Sequence, residues 1–347
     1  MTKIRFFSKI VFFVVAGLLF SGVQQSFALD YLKEKQSRPL LGTIVHVTVC
    51  YVDGRQDTVQ LAMDRLWQRL EEINARMNKY SDKSDVSLIN QSKGRPVAVH
   101  EDVYRILALS EKFREITNGV FDITVGPLVD LWQEAAKEDR YPSREEIAAA
   151  KKLIGTGKVE LLSDNKVRLT DPAVRIDLNG IVSGFAADEA VKILKDAQIH
   201  NFLVDTGGEL YAAGVNCQNR PWRLGVKDPE NKKALADSFE LSDAAVSTSG
   251  DYEHFVVIKG QKWSHIVNPL TGYPQNGVAS GTVIAPTTVE ADVFSKPVCI
   301  LGPSEGLKFV SSLGDGYDAL ILLRRQEGKY EWYTTPGYEA RRFDREK

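Results

Sequence analysis

Residues 43–51 alternate branched apolar side chains with other residues, the period-two pattern of a half-buried strand. Beyond them the period changes. Val59, Met63, Leu66, Trp67, Leu70, Ile73 and Met77 fall on one side of a helix, so this segment is expected to lie on a sheet, with Asp57 as its cap. Residues 101–117 repeat the helical pattern and stop at Asn118-Gly119. Residues 143–153 do so again, opened by Ser143 with Glu145 and Glu146 at the positive helix end. Residues 158–162 and 166–170 form a hairpin pattern around Asp164-Asn165. A helix is expected over 183–196, a short buried strand over 200–204, and mostly strands with turns from 210 to 284. Thr288 is the expected cap of a further helix and Ser304 of another reaching Leu313, before strands over 317–323 and 330–334. Helices and hairpins are mixed along the chain with no repeat or linker, which indicates an α+β fold.

Composition narrows the function classes. The 347 residues carry a net charge of -2, and no basic block of the kind that binds nucleic acid is present. Hydrophobic residues make up 43%, enough for a substantial core in one large domain or two smaller ones. Lys3, Arg5 and Lys9 precede an apolar run from Ile10 to Phe20 and a small-x-small site at Ser26-Phe27-Ala28. That is the pattern of a signal peptide over residues 1–28, which places the mature protein, residues 29–347, in the periplasm or outside the cell. The run is short for a membrane anchor. Three cysteines cannot all pair within one chain; Cys50 and Cys299 read as buried small hydrophobes, and the set argues against a disulfide framework.

Four glycine-bearing blocks carry the chemistry: 119–128 (GVFDITVGPL), 176–185 (IDLNGIVSGF), 204–209 (VDTGGE) and 264–272 (SHIVNPLTG). Glycine lets backbone approach a ligand closely and adopts positive φ without steric cost. Each block alone is a weak signal. In this order, with Leu40-Leu41-Gly42-Thr43, the run Met77-Asn78-Lys79-Tyr80 leading to Ser84, Ser87 and Asn90, residues 221–226 (PWRLGV) and residues 247–252 (STSGDY), they resemble the FAD:protein FMN transferases, the ApbE family. The resemblance spans roughly residues 38–335. It implies one α+β unit with FAD in a cleft between lobes. It also implies transfer of FMN from FAD to a Thr or Ser hydroxyl of an acceptor flavoprotein in a membrane or periplasmic redox system, with Mg²⁺ and release of AMP.

By the same resemblance Leu41, Tyr80, Val120, Phe121, Asp122, Asp177, Ser183 and Ile266 fall where family members contact FAD. Tyr80 is the candidate wall for the flavin ring, because a lone aromatic in a polar loop has little core to join. Gly180 and Gly184 flank the start of the 183–196 helix, whose free amides suit a pyrophosphate. His265 is the candidate base for the acceptor hydroxyl, since imidazole titrates near working pH. The metal is expected on the Gly180 carbonyl and on Asp292.

Two departures stand out. Ser183 occupies a place where members usually carry Lys or Glu. More important, the family's second metal-binding side chain, a Thr four residues after the Asp, falls on Lys296. An ammonium about 4 Å from Mg²⁺ is repelled by roughly 8 kcal/mol at an effective dielectric of about 20. Either Lys296 points elsewhere, or it takes the metal's place and pairs with Asp292 one helical turn away, or a register shift recruits Ser295. Pro297 is expected to kink the helix there. The departures keep two other activities open, a FAD-binding protein without transferase activity and a FAD pyrophosphatase. The acceptor's identity and the oligomeric state are not encoded in any motif.

Overall fold

The computed structural model describes residues 30–231, 233–252, 255–326 and 329–343. The expected signal peptide, residues 1–28, lies outside the described residues. The chain runs β1 (Leu32–Leu40), β2 (Thr43–Tyr51), α1 (Gln56–Met77), α2 (Asp85–Gln91), β3 (Val97–Ala98), α3 (Glu101–Ile116), a 3-10 turn (Ile123–Val125), α4 (Gly126–Lys137) and α5 (Arg144–Lys151). It continues through β4 (Val159–Leu162), β5 (Lys166–Leu169), α6 (Val182–Asp196), β6 (Phe202–Asp205), β7 (Glu209–Ala213), β8 (Trp222–Lys227), β9 (Leu235–Leu241) and β10 (Ala244–Gly250). It ends with β11 (Phe255–Ile258), β12 (Gln261–Ser264), β13 (Val278–Ala285), α7 (Thr288–Ser312), β14 (Asp318–Gln326), β15 (Lys329–Thr334) and α8 (Pro336–Arg341).

The fold is α+β, built on an antiparallel sheet of eight strands in the order β1-β2-β6-β7-β10-β13-β14-β15. Strand alternation sends every second side chain to each face. On one face Val45, Val47 and Val49 of β2, Ala245 of β10, Val283 of β13 and Ile321 of β14 meet a layer formed by α1, α6 and α7. The apolar stripe of α1 is fully committed to this core, Val59 through Met77 being buried at every expected position. On the other face Val246, Ile284, Leu320 and Leu322 pack under the β8–β9 ribbon and Tyr338 of α8. Because both faces are covered, all eight residues of β13 are buried. A smaller core gathers Leu128 and Trp132 of α4, Ile147 and Ala150 of α5, Ile258 of β11 and Val267. This second lobe meets the main one along the 119–128 and 264–272 blocks.

Several expectations are corrected. Asp57 lies inside α1, whose N-cap is Arg55 without a side-chain cap bond. Thr287, not Thr288, caps α7 by accepting the Glu290 N–H. Pro297 does not interrupt α7; the break falls at Gly302 (φ 70, ψ -172), and Ser304 lies inside the segment that follows. Residues 85–91, which carry the Ser87 and Asn90 positions of the motif, form α2 because Ser84 caps it and Val86 and Ile89 are buried. Cys50 is not a free core thiol: it is disulfide-bonded to Cys217, tying β2 to the loop after β7, and Cys299 alone is free and buried. The sequence offers no spacing cue for a bond across 167 residues, because it is the sheet order β2-β6-β7 that brings the two ends together.

Charged groups join the helices beneath the core. Arg69 of α1 donates to both Asp102 oxygens of α3 (2.6 Å each) and to Glu189 of α6 (2.8 Å), while Arg76 also reaches Asp102. Burial alone would raise the Asp102 carboxyl, but the two guanidiniums hold it down at about 2. A carboxyl depressed below its unfolded value of 3.8 stabilises the fold above that value and loses the contribution as pH falls through about 2. Wild-type protein should therefore lose stability between about pH 4 and pH 2, and Asp102→Asn, weaker at neutral pH, should lose less over that interval in chemical denaturation. Leu70→Ala, at a fully buried position of the α1 stripe, should cost about 2–5 kcal/mol in the same measurement.

Candidate active site

The four glycine-bearing blocks converge. Asp177 N–H donates to the Ile123 carbonyl (2.7 Å), joining the second block to the first. Asn90 clamps the neighbouring Ile176 in both directions, its amide donating to the carbonyl (2.9 Å) and its oxygen accepting the N–H (2.8 Å). The Ser87 hydroxyl donates to the Lys79 carbonyl, so α2 also fixes the loop that carries Lys79 and Tyr80. Thr206 of the third block donates its hydroxyl to the Ser183 carbonyl in the first turn of α6 (3.1 Å). A methyl group on Gly207 would fall 2.6 Å from the Thr43 side chain, which holds the 41–43 turn against the third block. Leu270 of the fourth block lies over Gly119 of the first.

Within this junction the expected residues take different stations. Leu41 and Gly42 form the two-residue loop between β1 and β2, both with positive φ (56° and 76°), and the Leu41 N–H donates to Asn74. Tyr80 is exposed at 83%, available to a flat ligand, with the Lys79 ammonium 5.4 Å from its ring centroid. Val120 and Phe121 are buried. Asp122 is buried too, but its carboxylate is turned inward: it accepts the Thr124 N–H (2.8 Å) and hydroxyl and caps the 3-10 turn, and burial raises its pKa. Asp177 accepts the backbone N–H of Asn179 (2.9 Å), which closes its own turn, and its other oxygen holds the Lys79 ammonium (2.8 Å). Burial lowers the Lys79 pKa, yet the facing Asp177 carboxylate outweighs it and the net shift is upward. Ile266 is buried in the main core, while His265 beside it is exposed at the end of β12.

The densest chemistry lies where α6 meets α7. Asp292 is 1% exposed. One of its carboxylate oxygens accepts the Gly184 N–H (2.9 Å) and the other accepts the Lys296 ammonium, which also donates to the Asp292 backbone carbonyl (2.7 Å). Of the three alternatives for Lys296, this is the pairing with Asp292. Gly184 must be glycine here, since a methyl group would fall 2.7 Å from Asp292 Cβ, Thr288 O and Val289 Cα. Gly180 faces the stem of Lys296 on one side and the ring of Phe121 on the other. Ser295 bonds to Ser249 and to the Asp292 carbonyl and so is turned into the core. Burial raises the Asp292 carboxyl, and Lys296 and the Gly184 amide act against it.

Glu209 completes the cluster and was not anticipated as a site residue. Desolvation, and then the Asp292 charge, push its carboxyl up to about 8. Across the β7–β10 ladder it stands opposite Ser247, whose buried hydroxyl lacks a partner among the described residues. The sequence signal was present, an acidic residue directly after Gly207-Gly208, but the influence of the Asp292 charge on it comes only from the packing of β7 against α7.

Residues 41–321 match the family model described as the ApbE family. The FAD:protein FMN transferases of Haemophilus influenzae and Vibrio cholerae are each 30% identical to the chain, over 83% and 85% of it and 86% and 89% of their own lengths. The solved flavin transferase ApbE from Vibrio cholerae superposes with a TM-score of 0.76 at 28% identity, covering 90% of this chain and 99% of that one. The ApbE protein of Thermotoga maritima superposes at 0.78 with 31% identity, covering 90% and 100%. Fold and site together define the class, a flavin-transferase fold with a polar centre between two packed helices. At this coverage the conclusion is specific: the chain belongs to the ApbE family.

Gly184→Ala should lower the urea midpoint by the equivalent of about 1–3 kcal/mol, the cost of overpacking a helix contact, because α6 cannot move away without breaking the Asp292 bond.

Proposed function

We propose that this protein is a FAD:protein FMN transferase, acting on a Thr or Ser hydroxyl of an acceptor flavoprotein in a membrane or periplasmic redox system. The observation that carries the reading is the convergence of the four glycine-bearing blocks on one junction, in a chain of this family. The acceptor oxygen attacks the phosphorus on the FMN side of FAD. A new P–O bond forms, the bond from that phosphorus to the bridging oxygen breaks, and AMP leaves with the bridging oxygen. The hydroxyl proton passes to His265, which is exposed where an acceptor segment can approach. Such a reaction depends mainly on holding the groups in line and balancing charge on the phosphates.

The chain's residues divide this work. Tyr80 offers an exposed face to the flavin ring; in the first turn of α6 the Ile181 and Val182 amides are held by the Leu178 carbonyl and the Gly184 amide by Asp292, which leaves the Ser183 N–H for the phosphates. Leu41, Val120, Phe121 and Ile266 supply apolar contact around the nucleotide, and Asp177 with Lys79 borders it. Asp122 acts from behind, by shaping the turn that carries Phe121.

Magnesium is the cation that the resemblance implies, and the donor set does not fit it. Both carboxylate oxygens of Asp292 are taken, one of them by an ammonium, and the following turn offers Lys296 in place of an oxygen ligand. No group of three or more His, Cys, Asp and Glu side chains that could hold a metal occurs among the described residues. The reaction is accordingly derived without a metal step.

Export across the inner membrane is supported by the signal pattern at the N-terminus and by the Cys50–Cys217 bond, which suits an oxidising compartment.

The test is to incubate mature protein with FAD and a purified flavin-acceptor domain, following covalent flavin on the acceptor and AMP by mass spectrometry. Both products are expected, with transfer reduced about 10²- to 10⁴-fold in His265→Ala, the usual contribution of a general base. Tight FAD binding with neither product across several acceptors would favour a flavin-binding protein without transferase activity; AMP with free FMN alone would favour a pyrophosphatase.

A further inference from the structure

We propose that the Lys296 ammonium is the resident cation of this site: it stands where a divalent ion would otherwise balance Asp292 and the nucleotide phosphates, so the chain binds FAD without metal. This rests on the FMN-transferase reading and specifies the chemistry of its centre.

Three observations carry it. First, the ammonium is fixed rather than solvated. It donates to both the backbone carbonyl and the carboxylate of Asp292; the lysine side chain is 18% exposed and the aspartate side chain 1%. Such double anchoring within one helical turn leaves it little freedom to swing aside. Second, an ammonium has three N–H groups, and the Asp292 contacts account for two. The third is left for a ligand, and the stem lies along Gly180, at the turn leading into α6, with the Phe121 ring beside the same glycine. Third, the surrounding charge requires a cation. Asp292 is a buried carboxylate, and a pyrophosphate entering beside it adds negative charge; Lys296 is the cation bonded to it. A divalent ion brought to the same carboxylate would have to displace the ammonium or sit against it.

The surrounding architecture is consistent with a built position. Gly184 allows α6 to approach close enough for its amide to hold the second Asp292 oxygen, and Ser249 with Ser295 fixes the turn of α7 that carries Lys296. The carboxylate is thereby aimed at Lys296 from two sides, and the lysine is a component of the centre rather than a surface charge near it.

The experiment is a titration of FAD into the mature protein by calorimetry and flavin fluorescence, in EDTA and in millimolar Mg²⁺, for wild type, Lys296→Thr and Lys296→Met, each checked for folding by thermal melt. Wild type should bind FAD equally in both buffers, within about twofold. Lys296→Thr should bind about 10- to 100-fold more weakly in EDTA, the worth of a hydrogen bond to a charged group, and regain affinity in Mg²⁺; Lys296→Met should be weak in both. Should Lys296→Met fail to fold because Asp292 is left uncompensated, Lys296→Met with Asp292→Asn restores neutrality and should fold and bind weakly in both buffers. Wild-type binding that falls at least about tenfold in EDTA, or unchanged affinity in a folded methionine variant, would overturn the proposal while leaving the transferase reading intact. Wild type that binds no FAD in either buffer would defeat the transferase reading and this proposal with it.

Discussion

A carboxylate taken out of water must be met by charge or by hydrogen-bond donors, and in this protein that requirement is concentrated at Asp292. Its two oxygens are divided between the first turn of α6 and the following turn of α7. The same contact therefore sets how closely the two helices pack and where the lysine is held. Gly184 is the steric condition for it, and the Lys296 ammonium is the electrostatic one. Removing Lys296 alone would leave a buried charge without a counter-ion, so structure and site chemistry cannot be varied independently here.

The scaffold around this point is arranged in layers with separate duties. The eight-stranded sheet, covered on both faces, supplies a rigid floor. Above it α6 and α7 bring their first turns together, α1 ends in the loop that carries Lys79 and Tyr80, and the smaller lobe brings in the first and fourth glycine-bearing blocks. Hydrogen bonds and glycine contacts join the blocks at the junction, beside apolar residues of all four blocks that share the main core. A junction of that kind keeps its backbone groups in fixed positions.

Much of this was legible before any coordinates. The α1 stripe had one consistent helical period and is buried position by position. The Ser143 cap and the Asp164-Asn165 turn are local features, set by a few adjacent residues, and both occur as expected. The four blocks were recognisable because glycine and polar residues recur at turns where apolar ones would be excluded. What escaped depended on distant partners. Cys50 looked like a core residue because nothing local reveals that residue 217 lies beside it. Pro297 was expected to break a helix that tertiary packing holds through it, the break moving to Gly302. Glu209 acquires its character only from Asp292 across the fold, and Asp177 finds its partner in a lysine 98 positions earlier. The pairing of Lys296 with Asp292 was among the alternatives that helical spacing allowed; choosing it required the buried position of Asp292 and the Gly184 amide behind it.

The central claim is that the cation at this centre belongs to the chain. The most direct measurement is a crystal structure of the mature protein with FAD, grown with Mn²⁺ and recorded at the manganese absorption edge. The account predicts the Lys296 ammonium in hydrogen-bond contact with a pyrophosphate oxygen and no anomalous peak beside Asp292. A manganese peak bridging Asp292 and the nucleotide, with Lys296 swung away, would contradict it.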